Sequence, residues 1–231
     1  MIPKLELGHG VFADIEDAIQ AASAAQKIYE RDFTMEDRGR IIEAVRQKLA
    51  EEAKTFADME YEETGYGRPD DKYNKNLATA RGIPGIETIP KDIYTATDQG
   101  MVINVYSPFG VIGALTPVTN PSATIMGNGL CNLAAGNAVV FNAHPAAKVS
   151  SAYALQVFNQ AVVAAGGPEN LITCIAEPTM ESLDAITKSP LIALMIGTGG
   201  HAMVNTLMKS GKKCICAGPG NPPSIVDETC D

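Results

Sequence analysis

Asn120 stands between Thr119 and Pro121, just after the apolar run 111–115 has ended at Thr116-Pro117. A proline is tolerated in the first turn of a helix, where its missing N–H would have had no partner anyway. The segment therefore reads as a strand-to-helix corner with the Asn120 amide free to point at a ligand. Open α/β sheets bind ligands there, beyond the carboxyl ends of the strands. On spacing alone the simpler expectation is an Asx turn, in which the side chain satisfies its own backbone. Gly197, Thr198, Gly199 and Gly200 follow a second apolar run, 192–196, and precede a helical pattern. Glycines at such a junction let backbone N–H groups approach a phosphate at the positive end of the helix. A turn that merely needs small residues explains them about as well.

Three more pieces are weaker alone. Ala217, Gly218, Pro219, Gly220, Asn221, Pro222 and Pro223 form a rigid loop of the kind that is more often structural than functional. Asn142, Ala143, His144 and Pro145 follow a strand pattern as Asn120 does, and His144 reads as an exposed polar residue. Of the five cysteines, Cys131 and Cys174 fall among apolar neighbours and read as buried small hydrophobes. Cys214 and Cys216 share one side of a strand, with no further ligands at metal-site spacing, and Cys230 has no activating base nearby. The dinucleotide fingerprint Gly-x-Gly-x-x-Gly is absent: Gly127-Asn128-Gly129 ends in Asn132, inside a helical pattern. There is no nucleophile elbow, P-loop or His-Glu-x-x-His either.

The elements that must position these residues show in the apolar spacing. A helix is expected over 14–30 with Asp14 as its cap. A longer one is expected from Thr34 to about Glu63, with Asp37 completing a weak capping box and Gly65 ending it. A third follows Pro69 and runs to Arg81-Gly82. Alternation over 101–106 and the turn Ser107-Pro108-Phe109-Gly110 predict an extended pair over 101–115. Strands are then expected at 111–115, 138–142, 171–175, 191–196 and 213–216, and helices at 121–135, 148–165, 179–187 and 200–209. This alternation predicts an α/β fold: a parallel sheet with helices on both faces and a helical N-terminal layer. The expected division is a helical part over 1–94, the extended pair over 95–115, and a cofactor-binding part over 116–231.

A chain of 231 residues can bury a sizeable core. Its net charge of −9 argues against a nucleic-acid partner, which would need a basic stripe. The apolar stretch 125–141 is interrupted by Asn128, Asn132 and Asn137, so no membrane span is expected. The N-terminal MIPKLELGHG lacks the form of a secretory signal. An odd cysteine count without framework spacing suits a reducing cytoplasm.

The pieces occur together and in order. PFGVIGALTPVTNPSAT, LAAGNAVVFNAHPAAK, AAGGPENLI, GTGGHAMV and AGPGNPPSIVDET resemble the cofactor-binding half of the aldehyde dehydrogenase superfamily. More narrowly, they resemble its CoA-acylating members, which convert acetaldehyde or propionaldehyde to the acyl-CoA. The resemblance implies a Rossmann-like cofactor domain, NAD or NADP as cofactor and CoA as co-substrate. It also implies a homo-oligomer in the intact enzyme, with association with a bacterial microcompartment in view. By matched position, Asn120 would help hold the oxyanion of the thiohemiacetal. Thr116, Pro117, Val118 and Thr119 would line the cofactor and substrate channel. Asn142, Ala143, His144 and Pro145 would form the adenosine-side turn, with Asn142 where hydrolytic members place a lysine. Gly197, Thr198, Gly199 and Gly200 would form the pyrophosphate-side turn. Ala217, beside Gly218, falls where hydrolytic members carry their general-base glutamate. Without that base water is poorly activated, and a thioester can survive until CoA attacks it.

In the family the nucleophilic cysteine lies downstream of the Gly218–Pro223 loop, beyond Asp231. The expectation is therefore a portion that binds cofactor and does not turn over alone. A non-catalytic nucleotide- or CoA-binding module and an acyl-phosphate reductase-like relative are the alternatives.

Overall fold

The alternating runs form a parallel sheet in the computed structural model of the chain, which describes residues 5–90 and 94–229. In chain order its strands are β1 (Val11–Phe12), β2 (Tyr94–Thr97), β3 (Gly100–Ile103), β4 (Val111–Leu115), β5 (Ala138–Asn142), β6 (Ile172–Ile175), β7 (Ile192–Thr198) and β8 (Cys214–Ala217). The helices are α1 (Ile15–Asp32), α2 (Met35–Glu51), α3 (Ala53–Thr64), α4 (Pro69–Gly82), α5 (Pro121–Ala134), α6 (Lys148–Ala164), α7 (Met180–Lys188) and α8 (His201–Met208). Six strands make one sheet in the order β1-β6-β5-β4-β7-β8, with every pairing parallel. From β4 the chain steps outward through β5 and β6, then returns to add β7 and β8 on the other side. The reversal at β4 is a topological switch point, and a crevice opens at such points.

Local chemistry explains most boundaries. Asp14 accepts from the Glu16 and Asp17 N–H groups at 2.8 and 3.3 Å and caps α1. Thr34 and Asp37 close a reciprocal capping box on α2. Gly65 takes φ 71°, the left-handed turn that ends α3 and that glycine adopts without steric cost. β4 and β5 are buried at every position, as strands covered on both faces must be. Residues of α1–α4 share one hydrophobic cluster with the sheet, among them Ile19, Val45, Phe56 and Ala80.

Three expectations are corrected, and one strand is unforeseen. The helix expected over 34–63 is interrupted at Glu52, although no glycine or proline stands there. Glu52 accepts from Lys48 Nζ at 2.9 Å and from Tyr153 Oη on α6 at 3.3 Å, while Phe56 packs edge-on against the same tyrosine. Tertiary packing sets that bend. The extended pair expected over 101–115 is instead β2 with β3, joined through Asp98 and Gln99, with Thr97 opposite Gly100. The alternation at 101–103 finds its partner upstream, across the shortest loop that can close a hairpin, while 111–115 joins the parallel sheet. The two-residue β1, parallel to β6, is too short to leave a periodic signal. Cys131, expected to be buried, is exposed, because it lies off the stripe of α5 that carries Ile125, Met126, Leu130 and Leu133 into the core.

Candidate functional site

Loops after five strands meet at the carboxyl edge of the sheet and enclose a cleft of about 740 Å³. Residues 116–119 follow β4, 142–145 close β5, 178–179 lead from β6 into α7, 198–200 leave β7, and 218–220 leave β8. The volume falls within the usual range for small-molecule sites. Of the residues singled out in the sequence, those of the first, second, fourth and fifth loops line the cleft. Asn120, Gly197 and Ala217 adjoin lining residues without lining it themselves. Pro178, Thr179, Met180 and Leu183 line it too, as do Ala202 and Met203. Their available signal was position, since the loop after β6 occupies the same place in its βα unit as the others.

The wall after β5 is fixed from behind. Asn142 is buried, its Oδ1 accepting from Ser182 Oγ at 2.6 Å and its Nδ2 donating to the Thr179 carbonyl at 3.5 Å. Thr179 and Ser182 form the capping box of α7, so Asn142 ties two strand-to-helix turns together. His144 is exposed and accepts the Ala146 N–H at Nδ1, over 3.1 Å. It is the one titratable side chain among the described residues that line the cleft. Lys148, just beyond this turn, is engaged by Glu177 at 2.5 Å.

The turn carrying Asn120 is held by α3 and α4. Glu60 is fully buried; its Oε1 accepts the Ser122 N–H at 3.1 Å and Asn76 Nδ2 at 3.4 Å. Its Oε2 accepts from buried Lys72 at 3.0 Å, and Lys72 also donates to the Thr119 carbonyl at 3.0 Å. Asn120 makes no Asx turn: its side chain does not cap α5, and its Oδ1 accepts from Lys75 Nζ. Burial holds the Lys75 ammonium below the usual lysine range, Lys72 adds repulsion, and Glu60 works the other way. One helical turn beyond Glu60, Glu63 accepts the Val149 and Ser150 N–H groups at 2.8 Å each, at the start of α6. Neither α5 nor α6 has a side-chain cap from its own N-cap residue, so α3 finishes both helices from outside.

The cleft's own chemistry suits a nucleotide. Thr116 Oγ1 is buried in the floor without a hydrogen-bond partner, and a buried unpaired hydroxyl is costly unless a ligand meets it. A Cβ built on Gly200, Gly218 or Gly220 meets nothing within 4 Å, so the backbone there stands open to a close-fitting molecule. The N-terminus of α8 has no side-chain cap, and Gly200, Ala202 and Met203 of its first turn line the cleft, which favours an anionic group. Gly197 serves another purpose: a Cβ there would strike Leu207 of α8. Ala217 acts through its backbone, its carbonyl accepting the Gly199 N–H at 3.1 Å.

No described cysteine lines the cleft. Cys174 is buried in β6, and burial pushes its thiol up to about 12. Cys214 and Cys216 lie side by side on β8, and burial with the neighbouring thiol raises Cys216. Cys230 lies outside the described residues. Among the described residues no group of three or more His, Cys, Asp or Glu is placed to hold a metal ion, and no helix is long and apolar enough to cross a membrane.

The whole arrangement has known counterparts. Acetaldehyde dehydrogenase (acetylating) EutE of Salmonella typhimurium is 45% identical over 223 residues, which are 96% of this chain and 47% of that protein. Propanal dehydrogenase (CoA-propanoylating) of the same organism is 42% identical over 224 residues, covering 97% of this chain and 48% of its own length. The chain thus spans about half the length of these curated relatives. The structure of a propionaldehyde dehydrogenase from the Clostridium phytofermentans fucose utilisation bacterial microcompartment superposes with a TM-score of 0.90 at 44% identity, over 96% of this chain and 51% of that one. The profile of the Aldehyde dehydrogenase family matches residues 6–231. With every described element of the fold inside that match, the chain belongs to the aldehyde dehydrogenase family.

Proposed function

We propose that these residues are the cofactor-binding portion of a CoA-acylating aldehyde dehydrogenase, acting on a short-chain aldehyde, CoA and NAD(P). The observation that carries this reading is the convergence of the loops after five parallel strands on one cleft, in a chain 42–45% identical to acetylating and propanoylating enzymes. A bound nicotinamide would supply the hydride acceptor. The chain's own residues would do the rest of the holding. Thr116 offers its hydroxyl in the floor, the uncapped start of α8 receives a phosphate, and the apolar lining excludes water.

Asn120, at the head of α5, would donate its amide to the developing oxyanion, a contribution of the size found in other oxyanion holes. The attacking thiolate comes from none of the four described cysteines, since none lines the cleft. Ala217 supports the acylating reading in particular. Its methyl group offers no base to activate water, so a thioester would persist until CoA takes the acyl group. The β2–β3 ribbon, exposed at every position, supports an assembly role in a homo-oligomer. The microcompartment origin of the Clostridium phytofermentans structure supports residence in such a compartment within the bacterial cytoplasm.

Calorimetric titration of the 231-residue chain with NAD, NADP and CoA tests the reading. Saturable binding of a nicotinamide nucleotide that Gly200→Val weakens is expected. Absence of binding by all three would overturn it.

A further inference from the structure

We propose that Lys75 is a positioning residue that fixes which way the Asn120 amide points and sharpens it as a donor. The inference rests on the reading of Asn120 as an oxyanion donor. Lys75 reaches Asn120 across 45 residues of sequence, from the middle of α4 to the head of α5. An ammonium has donors only, so the amide atom it meets must be the carbonyl oxygen Oδ1. That single fact settles the side chain's orientation. With Oδ1 turned toward α4, the Nδ2 hydrogens are left for a partner elsewhere, and among the described residues Nδ2 has no hydrogen-bond acceptor.

A cation on the oxygen also draws electron density through the amide, which makes the N–H bonds better donors to an anion. In water the effect would be small. Here Lys75 is half-buried, and the charged neighbours facing it, Lys72 on its own helix and Glu60 on α3, are already committed to each other and to the turn backbone. The division of labour follows from the contacts. Lys72 and Glu60 hold the backbone of residues 119–122, whereas the hydrogen bond that Lys75 makes among the described residues goes to the Asn120 side chain. Removing Lys75 therefore leaves the turn in place and releases the amide.

The test is heteronuclear magnetic resonance on the 231-residue chain, with the Asn120 Nδ2 pair identified by its disappearance in Asn120→Asp. In the unsubstituted chain this pair stands apart from the exposed asparagine amides, and the Lys75 and Asn120 side chains show a nuclear Overhauser contact. Lys75→Met moves the pair to the position of the exposed amides while the Thr119 and Ser122 backbone signals stay. Lys75→Arg restores it, and Lys75→Gln, which keeps a neutral donor, restores it only in part. An Asn120 pair unmoved by Lys75→Met, or the absence of the Overhauser contact before any substitution, overturns the proposal. Adding NAD to the same sample reports on the underlying reading separately. Cleft signals that ignore NAD defeat the cofactor reading, and the response of Asn120 to Lys75 is still measured.

Discussion

Lys72 and Glu60 meet at 3.0 Å with 4% and 0% of their side chains exposed, and both continue to the turn that carries Asn120. An ion pair removed from water persists only when its remaining hydrogen-bonding capacity is met. Here the Thr119 carbonyl, the Ser122 N–H and the Asn76 amide meet it. The pair therefore joins the helical hairpin α3–α4 to the most chemically promising corner of the sheet.

Lys72→Met or Glu60→Gln alone should destabilise the chain by about 3–5 kcal/mol, because each leaves one buried partner uncompensated. The double variant should lose much less than the sum. Urea unfolding of the four species in a double-mutant cycle measures this, and strict additivity would contradict it.

Gly197 and Gly200 should separate packing from binding. Gly197→Ala forces a methyl into Leu207 and should cost about 1–3 kcal/mol of stability. Gly200→Val places its side chain in open space, so its melting temperature should stay close to that of the parent while NAD affinity falls. Thermal melts and calorimetry on both variants make the comparison.

Glu87 should contribute to stability only above the acid range. Its carboxylate accepts from Arg46 at 2.7 Å and from the Gly85 N–H at 2.9 Å, and the Arg46 hydrogen bond above all lowers its pKa to about 2. An unfolded glutamate titrates near pH 4.3. The folded value is the lower one, so the contribution is complete above about pH 4.3 and is lost as the pH falls toward 2. With the Glu87 side chain 55% exposed, solvent screening keeps it modest. The difference in urea midpoint between the parent and Glu87→Gln should shrink steadily over that interval, and a difference that grows on acidification would refute the assignment.

Cys174 should resist alkylation in the folded chain at pH 8, since it is buried and its thiol is held far from ionisation. Cys131 is exposed and should be modified first, at a rate slowed by its raised pKa. Mass spectrometry after iodoacetamide treatment, with and without urea, distinguishes the two; rapid labelling of Cys174 without urea would count against the fold.

What was legible in the sequence is what local chemistry decides. Asp14, Thr34, Pro121 and Gly65 each mark a helix end through contacts within a few residues, and the α/β alternation fixed the sheet's parallel character. Contacts distant in sequence left no such mark. The interruption at Glu52 depends on Tyr153, the partner of β3 lies upstream, and β1 is defined by its pairing with β6 alone. At the site, three of the five loops were visible as strand-to-helix turns and the one after β8 as a rigid loop, while the loop after β6 was not singled out. The orientation of Asn120 was not visible, because Lys75 is brought to it by the packing of α4 on α5.

Glu60 and Glu63 give α3 a role in the order of events during synthesis. Chains emerge N-terminus first and begin to fold as they are made. The two carboxylates that complete α5 and α6 thus leave the ribosome well before either helix exists. The groups that complete the first turns of α5 and α6 in the folded chain are thus made before the helices they serve, so the carboxyl edge of the sheet depends on a segment that precedes it in synthesis.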